Sequence, residues 1–305
     1  MDPLVIGLVA LSAVLHVTWN VRLKTAGDPL RTATIGMLAA CLAIVPVGLG
    51  SWWVAGRPDF PALAIGLGLI SGTVEAGYFI LLSAAYRRGD LSVVYPIARG
   101  TAPLLAVAVG VGLFGERLGI GGSLGVAALL TGFLVLQRPW RALSRRRTGS
   151  AGTFDPAIGF ALATGVTIAT YTAIDRVGAR LVAPLAYAAI LWVTTSVVLV
   201  LWVRFVARSG PLFGDGRAAI RDAAVGGWLT LGAYALILFA LSVAPLSGVA
   251  PLRESATVFA AAWGSVRLGE AVTRRETGRR IGASLLIVGG AVLLAVGDRL
   301  LGTVA

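Results

Sequence analysis

The chain has 305 residues, of which 57% are hydrophobic and only 13% charged, with 26 Lys and Arg against 14 Asp and Glu. This apolar share far exceeds that of a soluble domain, so the composition predicts an integral membrane protein whose surroundings are the lipid bilayer. A basic nucleic-acid binder would carry its charge as a solvated stripe on a soluble fold, and we therefore expect no nucleic-acid partner.

Ten stretches are apolar enough to cross a bilayer, which requires about 20 apolar residues for each helix. In chain order they are 3–23, 30–54, 61–86, 91–114, 119–137, 156–175, 183–206, 223–244, 247–268 and 279–298. The sequence thus predicts an all-α integral membrane fold with ten transmembrane helices. Asp2 stands ahead of the first stretch in place of a basic segment, so we expect a retained helix and no cleaved signal peptide.

Residues 92–136 and 247–293 are diverged copies of one pattern. The matched positions, each 154 residues apart, are Arg99 with Arg253, Gly115 with Gly269, and Glu116 with Glu270. The chain then divides into a first repeat at 1–138, a basic cytoplasmic linker at 139–155 and a second repeat at 156–305. Because each repeat has an odd number of helices, the two must enter the bilayer from opposite sides. Inverted five-helix repeats of this kind are typical of secondary transporters.

The basic residues lie mostly at helix ends and indicate the orientation of the chain. Nineteen of the 26 flank the loops after predicted helices 1, 3, 5, 7 and 9, whereas five lie on the opposite side. The positive-inside rule makes the first side cytoplasmic, and both termini are therefore predicted outside.

Pro96, Gly100 and Pro103 lie within predicted helix 4, and Pro245 and Pro251 mark the start of predicted helix 9. Two interpretations are open at these positions. Unwound backbone could face a polar cavity, or the prolines could only kink packed helices.

Glu75 lies near the middle of predicted helix 3, where an acidic side chain costs about 2.5–3.5 kcal/mol to insert. We expect it to face the bundle interior, where it could exchange a proton during transport, bind a substrate amine, or form an ion pair that only orders the bundle. Tyr78 and Phe79 follow three and four residues later on the same face and would supply an aromatic wall.

Arg99 and Arg253 are permanently charged, and their forked donors suit carboxylate or phosphate groups, so either could contact an anionic part of a substrate. Their presence in both copies also favours a role in the shared scaffold or in a gate. Glu254 has no acidic counterpart, because residue 100 is Gly, and it could neutralise Arg253.

Predicted helix 1 carries His16, Trp19 and Asn20 at i, i+3 and i+4, which places them in one stripe that we expect to line a cavity. His16 could take part in proton coupling or could serve only as a hydrogen-bond partner. Weaker cavity candidates are aromatic residues for which packing is the alternative, namely Tyr95, Tyr171, Trp228 and Tyr234.

A single His and a single Cys cannot build a zinc site or a disulfide, and neither Ser nor Cys is joined by a suitable base for nucleophilic catalysis. The sequence also lacks a P-loop for ATP. We therefore expect no metal, no cofactor and no catalytic residue, and active transport would draw on an ion or substrate gradient.

The five-plus-five helix layout, with Gly-Glu after helices 4 and 9, resembles the EamA-type branch of the drug/metabolite transporter superfamily over nearly the whole chain. The run at 16–20 (HVTWN) and the run at 85–96 (AYRRGDLSVVYP) leading to Arg99-Gly100 resemble recurrent segments of that branch. Its members include bacterial amino-acid exporters of the YddG type and transporters of other metabolites. The resemblance implies a central cavity lined by helices 1, 3, 4, 6, 8 and 9.

The leading hypothesis is a secondary transporter in a bacterial cytoplasmic (inner) membrane that exports small metabolites, most of all amino acids, including aromatic ones, with possible proton coupling. A transporter of phosphonates or other anionic metabolites is the alternative that two intramembrane arginines favour. A membrane-embedded enzyme and a helper subunit of a membrane complex are weaker alternatives.

Overall fold

The chain folds into helices throughout its described part, which confirms the all-helical prediction. The computed structural model describes residues 2–24, 26–88, 91–137, 156–208, 210–253 and 274–300. These residues form ten helical segments. In chain order they are α1 Pro3–Lys24, α2 Pro29–Val54, α3 Ala62–Arg88, α4 Leu91–Gly112, α5 Ile120–Gln137, α6 Pro156–Leu181, α7 Pro184–Leu201, α8 Gly216–Val243, α9 Leu246–Arg253 and α10 Arg274–Leu300. A π-helical turn, Trp202–Val206, continues α7.

Within the described residues, five helices are long and apolar enough to cross a membrane: α2, α3, α6, α7 with its π turn, and α8. Large apolar side chains cover the outside of the described bundle, among them Leu42 at 81% exposure and Val54 at 87%. Such a surface would be unstable in water and is suited to lipid tails. These features indicate a membrane protein, while ten membrane crossings stay a prediction.

Two helices extend further than their hydropathy predicts. Helix α6 runs to Leu181, beyond the predicted end at 175, and α8 begins at Gly216, ahead of the predicted start at 223. In the added turn of α6, Arg176 and Arg180 bind protein groups, so the helix continues where the local sequence becomes polar.

Helix α4 runs unbroken from Leu91 to Gly112 and includes Pro96, Gly100 and Pro103. Of the two interpretations open for these residues, unwound backbone is therefore wrong in helix α4. Of predicted helix 9, the structure describes the first turns, Leu246–Arg253, which include Pro251.

The helices pack in pairs that connect the two halves of the chain. The main pairs are α5 with α10, α2 with α7, α4 with α9, α3 with α6, α1 with α8, α2 with α8, α3 with α7, α4 with α6, and α1 with α9. Glycines allow several of these close approaches. At Gly36 of α2, for example, an added Cβ would meet the Gly227 backbone of α8 at 3.2 Å.

Candidate functional site

Two predicted site residues of α1 form one face, which meets α4 inside the bundle. Trp19 Nε1 donates to His16 Nδ1 at 3.1 Å, and Arg99 Nη2 contacts His16 Nε2. All three side chains are buried. A neutral imidazole has one acceptor nitrogen, whereas indole and guanidinium groups only donate. The tautomer of His16 therefore selects which of its two neighbours it accepts from.

The α3 stripe is buried as its spacing predicts. Glu75, Tyr78 and Phe79 are all buried. The Glu75 carboxylate accepts a hydrogen bond at 3.0 Å from the hydroxyl of Thr195 in α7. An acidic side chain thus lies in the interior among apolar helices, where it requires a partner and usually marks a functional position.

A chain of aromatic rings crosses the bundle and links the α1 face to the second half of the protein. Successive ring centroids lie 4.8–6.2 Å apart, mostly in edge-to-face geometry. In order, the rings are His16, Trp19, Phe79, Tyr78, Tyr171, Tyr234 and Trp192. Two of the weaker candidates, Tyr171 and Tyr234, are therefore part of this cluster, and they contribute rings from α6 and α8.

Arg253 lies at the far end of the aromatic chain. Its Cζ atom is 5.2 Å from the centroid of the Tyr234 ring, within the range of a cation–π contact. Its guanidinium group also makes a side-chain hydrogen bond with Tyr171 and acts electrostatically on Glu75. The two repeat-matched arginines thus approach one cluster from different helices, Arg99 through His16 and Arg253 through tyrosines.

Sequence reasoning missed one acidic member of the cluster, Asp175 of α6, which is 0% exposed. Its carboxylate accepts from Ser71 Oγ at 2.5 Å and from the Tyr187 hydroxyl at 2.8 Å, and it also accepts from the Tyr234 hydroxyl. The predicted helix ended at 175, so this residue looked like a helix boundary. The usable signal was its i, i+4 spacing from Tyr171, which places both on one face of a longer helix.

The cluster brings together two buried cations and two buried carboxylates. Arg99 and Arg253 are 5% and 8% exposed, and Glu75 and Asp175 are 4% and 0% exposed. Arg253 and Asp175 both act electrostatically on Glu75. With all four groups charged, the formal charges cancel. This balance holds while both carboxylates are ionised, and a proton on Glu75 would leave the cluster with one net positive charge.

The remaining candidates lie elsewhere or outside the described part. Trp228 is 54% exposed on the outer surface, where its Nε1 donates to the Ala39 carbonyl at 3.1 Å, so it is separate from the cluster. Glu254 lies outside the described residues. Asn20 and Tyr95 belong to α1 and α4, and their side chains are likewise outside the description.

A second polar group, here called the terminal clamp, consists of Glu116, Arg176 and Arg180 and holds the connection between α8 and α9. The two Glu116 oxygens accept from the backbone N–H groups of Leu246 and Ser247, each at 2.8 Å. Negative charge at these N–H groups stabilises the start of α9.

On the other side of the connection, Arg180 donates to the Leu241 and Ala244 carbonyls, each at 3.1 Å. Arg176 Nε joins the two parts by donating to Glu116 at 3.3 Å. The connection is thus fixed at both its carbonyl and its N–H groups. Gly115 permits the preceding loop through its left-handed φ of 60°.

A narrow crevice approaches the cluster from the opposite end of α8. It runs between α1, α2, α3 and α8, is lined by Trp19 and Phe79 at its inner part, and reaches the Arg22–Asp222 ion pair. Along α8, at about 1.5 Å per residue, Asp222 lies about 18 Å before Tyr234, and Leu241 lies about 10 Å after it. The cavity volume of ≈ 20 Å³ admits about one water molecule, so this crevice, as the described residues form it, is too narrow for a metabolite.

Comparison with known proteins gives a likeness in fold. No family model matches the chain, and no curated protein matches it. A solved crystal structure matches with a TM-score of 0.72 over 99% of this chain and 99% of its own, at 19% sequence identity. The chain therefore shares its whole fold with a protein whose structure has been determined.

Proposed function

We propose that the chain is a secondary transporter that exports small zwitterionic metabolites, most of all amino acids, including aromatic ones, across a bacterial cytoplasmic membrane by alternating access. The observation that carries this proposal is the buried cluster of two arginines and two carboxylates, lined by aromatic rings, at the centre of an apolar helix bundle.

The balance of charge in the cluster favours a zwitterion. Arg99 and Arg253 offer donors to a carboxylate, while Glu75 offers an acceptor to an amine or accepts a proton. A zwitterion adds no net charge to this interior, whereas an anion would leave a charge uncompensated in a medium of low dielectric constant. The rings of Trp19, Tyr78 and Tyr171 provide surfaces on which an aromatic or apolar substrate side chain can pack.

The helix pairing is consistent with two repeats of five helices, which the odd number of predicted helices in each repeat would make inverted. If each helix of the first five is exchanged with the helix five places later, α1 with α6 and so on, a contacting pair should become another contacting pair. The pair α3–α6 becomes α8–α1, α2–α8 becomes α7–α3, and α4–α6 becomes α9–α1. All six of these pairs are present. This is the pattern expected of ten crossings related by a two-fold axis, and rocking of such halves gives access to each side in turn.

The two ends of the cluster support a closed, occluded conformation. The terminal clamp seals the side that loop charge predicts to be external, and the narrow crevice lies on the side predicted to be cytoplasmic. We infer that export requires the crevice to widen first and the clamp to open afterwards.

The presence of two buried arginines also favours a second candidate, a transporter of phosphonates or other anionic metabolites. Such a substrate would carry more negative charge than the cluster can balance, so it would need a co-transported cation or proton. Proton dependence together with net movement of an anion would support this candidate over the first.

The test is flux into proteoliposomes that contain the purified chain, with labelled amino acids, phosphonates and nucleotide sugars compared under an imposed pH gradient. We expect counterflow of one or more amino acids, and we expect Arg253→Gln to reduce it at least tenfold, whereas Trp228→Phe on the outer surface should retain it. If no class of compound shows flux or counterflow, the chain is not a secondary transporter of these metabolites.

A further inference from the structure

Asp175 is a fully buried carboxylate that the transport proposal uses only to balance charge, with no contact to the substrate. Three hydroxyl donors from three different helices, Ser71 in α3, Tyr187 in α7 and Tyr234 in α8, hold it in place. The Tyr234 hydroxyl belongs to the ring over which Arg253 lies, and Arg253 Cζ is 5.2 Å from the centroid of that ring. Asp175 therefore holds the hydroxyl edge of the Tyr234 ring, while Arg253 lies over the face of the same ring.

We infer that Asp175 is a positioning residue that fixes the guanidinium group of Arg253 through the Tyr234 ring, and so sets selectivity for substrates with a free carboxylate. The selectivity part of this inference rests on the proposed transport function, in which Arg253 contacts a carboxylate. The positioning part concerns the folded protein alone.

The geometry of Tyr234 explains how the effect is transmitted. Its hydroxyl donates to Asp175 Oδ2, which limits rotation and tilt of the ring, and Trp192 packs on the same ring with centroids 5.7 Å apart. A ring held from its edge and its side presents a fixed face to the cation. An arginine side chain has considerable rotamer freedom, and a fixed stacking surface reduces the conformational entropy that the side chain loses when it binds a carboxylate.

The orientation of Asp175 is itself determined by groups other than Arg253. Ser71 and Tyr187 both donate to Oδ1, which leaves Oδ2 for Tyr234. The charged and titratable groups that act on this network are Glu75 of α3, Tyr171 of α6 and Arg253 of α9. Two donors on one oxygen therefore aim the other oxygen at the ring.

Bidentate recognition of a carboxylate depends on the direction of the guanidinium plane as well as on its charge. If the Tyr234 ring were free to move, the charge of Arg253 would stay in the cavity but its guanidinium plane could rotate. Carboxylate substrates would then lose more affinity than the corresponding amides, since an amide does not use the full fork.

The first experiment needs no ligand and measures melting temperatures of the purified protein. Arg253→Gln should lower the melting temperature by less in an Asp175→Asn background than in the native chain. In a Tyr234→Phe background, which keeps the ring but removes its hydroxyl, Arg253→Gln should have the same effect with or without the Asp175→Asn substitution. Tyr187→Phe is the matched control, because it removes one donor to Oδ1 while Ser71 still holds that oxygen and the Tyr234 hydroxyl still meets Oδ2, and it should preserve the full effect of Arg253→Gln.

The second experiment measures binding of phenylalanine and phenylalaninamide to the same proteins. We expect the preference for phenylalanine to fall about tenfold in Asp175→Asn and in Tyr234→Phe, to fall no further in the double variant, and to stay within twofold in Tyr187→Phe. If Asp175→Asn weakened the binding of phenylalanine and of phenylalaninamide equally, the selectivity role would be overturned. Additive melting-temperature changes for Asp175→Asn and Arg253→Gln would overturn positioning, whether or not the flux experiment detects transport.

Discussion

Arg176 Nε donates to Glu116 across 3.3 Å, and the same carboxylate accepts the two N–H groups that begin α9. The Gly-Glu pair that the sequence repeats after helices 4 and 9 thus contacts, in its first copy, the helix start in the other half of the chain. Through this contact, a side chain from one half of the chain caps the start of a helix in the other half. It also makes the terminal clamp a local target for mutation.

Replacing Glu116 with Gln should release the start of α9. A Gln side chain offers one acceptor oxygen in place of two and loses the ion pair with Arg176. Hydrogen bonds to charged groups contribute about 1.5–3 kcal/mol each, so local opening should increase about tenfold or more. Hydrogen–deuterium exchange at Leu246 and Ser247 measures it. Arg117→Gln, which removes a neighbouring exposed charge, should leave their exchange unchanged, and equal exchange in both variants would contradict a clamp.

Gly110→Ala should have the same effect from the opposite side of the clamp. A Cβ at this position would meet Glu116 Oε2 at 2.5 Å and the Ser247 nitrogen at 3.0 Å, so the carboxylate must move. We expect faster exchange at Leu246 and a lower melting temperature. Gly112→Ala in the same helix adds a Cβ with no atom within 4 Å and should be tolerated. A Gly110→Ala protein as stable and as slowly exchanging as Gly112→Ala would show that the clamp is not tight here.

Sequence periodicity predicted the parts of the site that lie on single helix faces. Glu75 and Tyr78 are buried together because three residues span nearly one helical turn. Trp228 was grouped with Tyr234, but six residues turn a helix by about 600°, so the two side chains point about 120° apart and only Tyr234 faces inward. Asp175 was not predicted as a site residue because the local hydropathy falls there, so the predicted helix ends at 175, whereas α6 continues to Leu181.

The terminal clamp could not be predicted from the sequence. Two of the three partners of Glu116 are backbone N–H groups 130 and 131 residues away, and backbone groups carry no sequence signal. Only the packing of α4 against α9 brings them together. The repeated Gly115-Glu116 pair was visible as a pattern, whereas its contact depends on tertiary structure.

Glu75→Gln should abolish proton coupling but preserve substrate transport. The amide keeps the volume and can still accept from Thr195, but it cannot exchange a proton at membrane depth. In proteoliposomes, counterflow should persist while the response to a pH gradient is lost. Thr195→Val removes the hydroxyl that donates to Glu75 but keeps the carboxylate, and it should remain responsive to pH. A Glu75→Gln protein with an unchanged response would remove Glu75 from the coupling mechanism.

Orientation can be measured with single cysteines, since Cys41 is the one cysteine in the sequence. In a Cys41→Ala background, Arg117→Cys should react from outside intact cells with a membrane-impermeant maleimide, whereas Arg146→Cys should react only after the cells are opened. This follows from the excess of basic residues on the side of Arg146. The reverse pattern would invert the predicted topology and exchange the sides assigned to the clamp and the crevice.

His16 gives a spectroscopic test of the α1 face, because it is the single histidine of the chain and its ring can be labelled with ¹⁵N without ambiguity. In the native protein, Trp19 Nε1 donates to His16 Nδ1 and Arg99 Nη2 contacts His16 Nε2. The two donors therefore compete, because a neutral imidazole ring has one acceptor nitrogen. Trp19→Phe keeps an aromatic ring beside His16 but removes the donor at Nδ1. Arg99 should then determine the tautomer, with Nε2 accepting and Nδ1 carrying the proton.

The Nδ1 resonance should accordingly move toward the shift of a protonated imidazole nitrogen in Trp19→Phe. Trp228→Phe removes an indole from the outer surface, on a different helix, and should leave the spectrum unchanged. An Nδ1 shift that is the same in all three proteins would mean that Trp19 does not compete for the ring. In that case Arg99 alone sets the tautomer of His16.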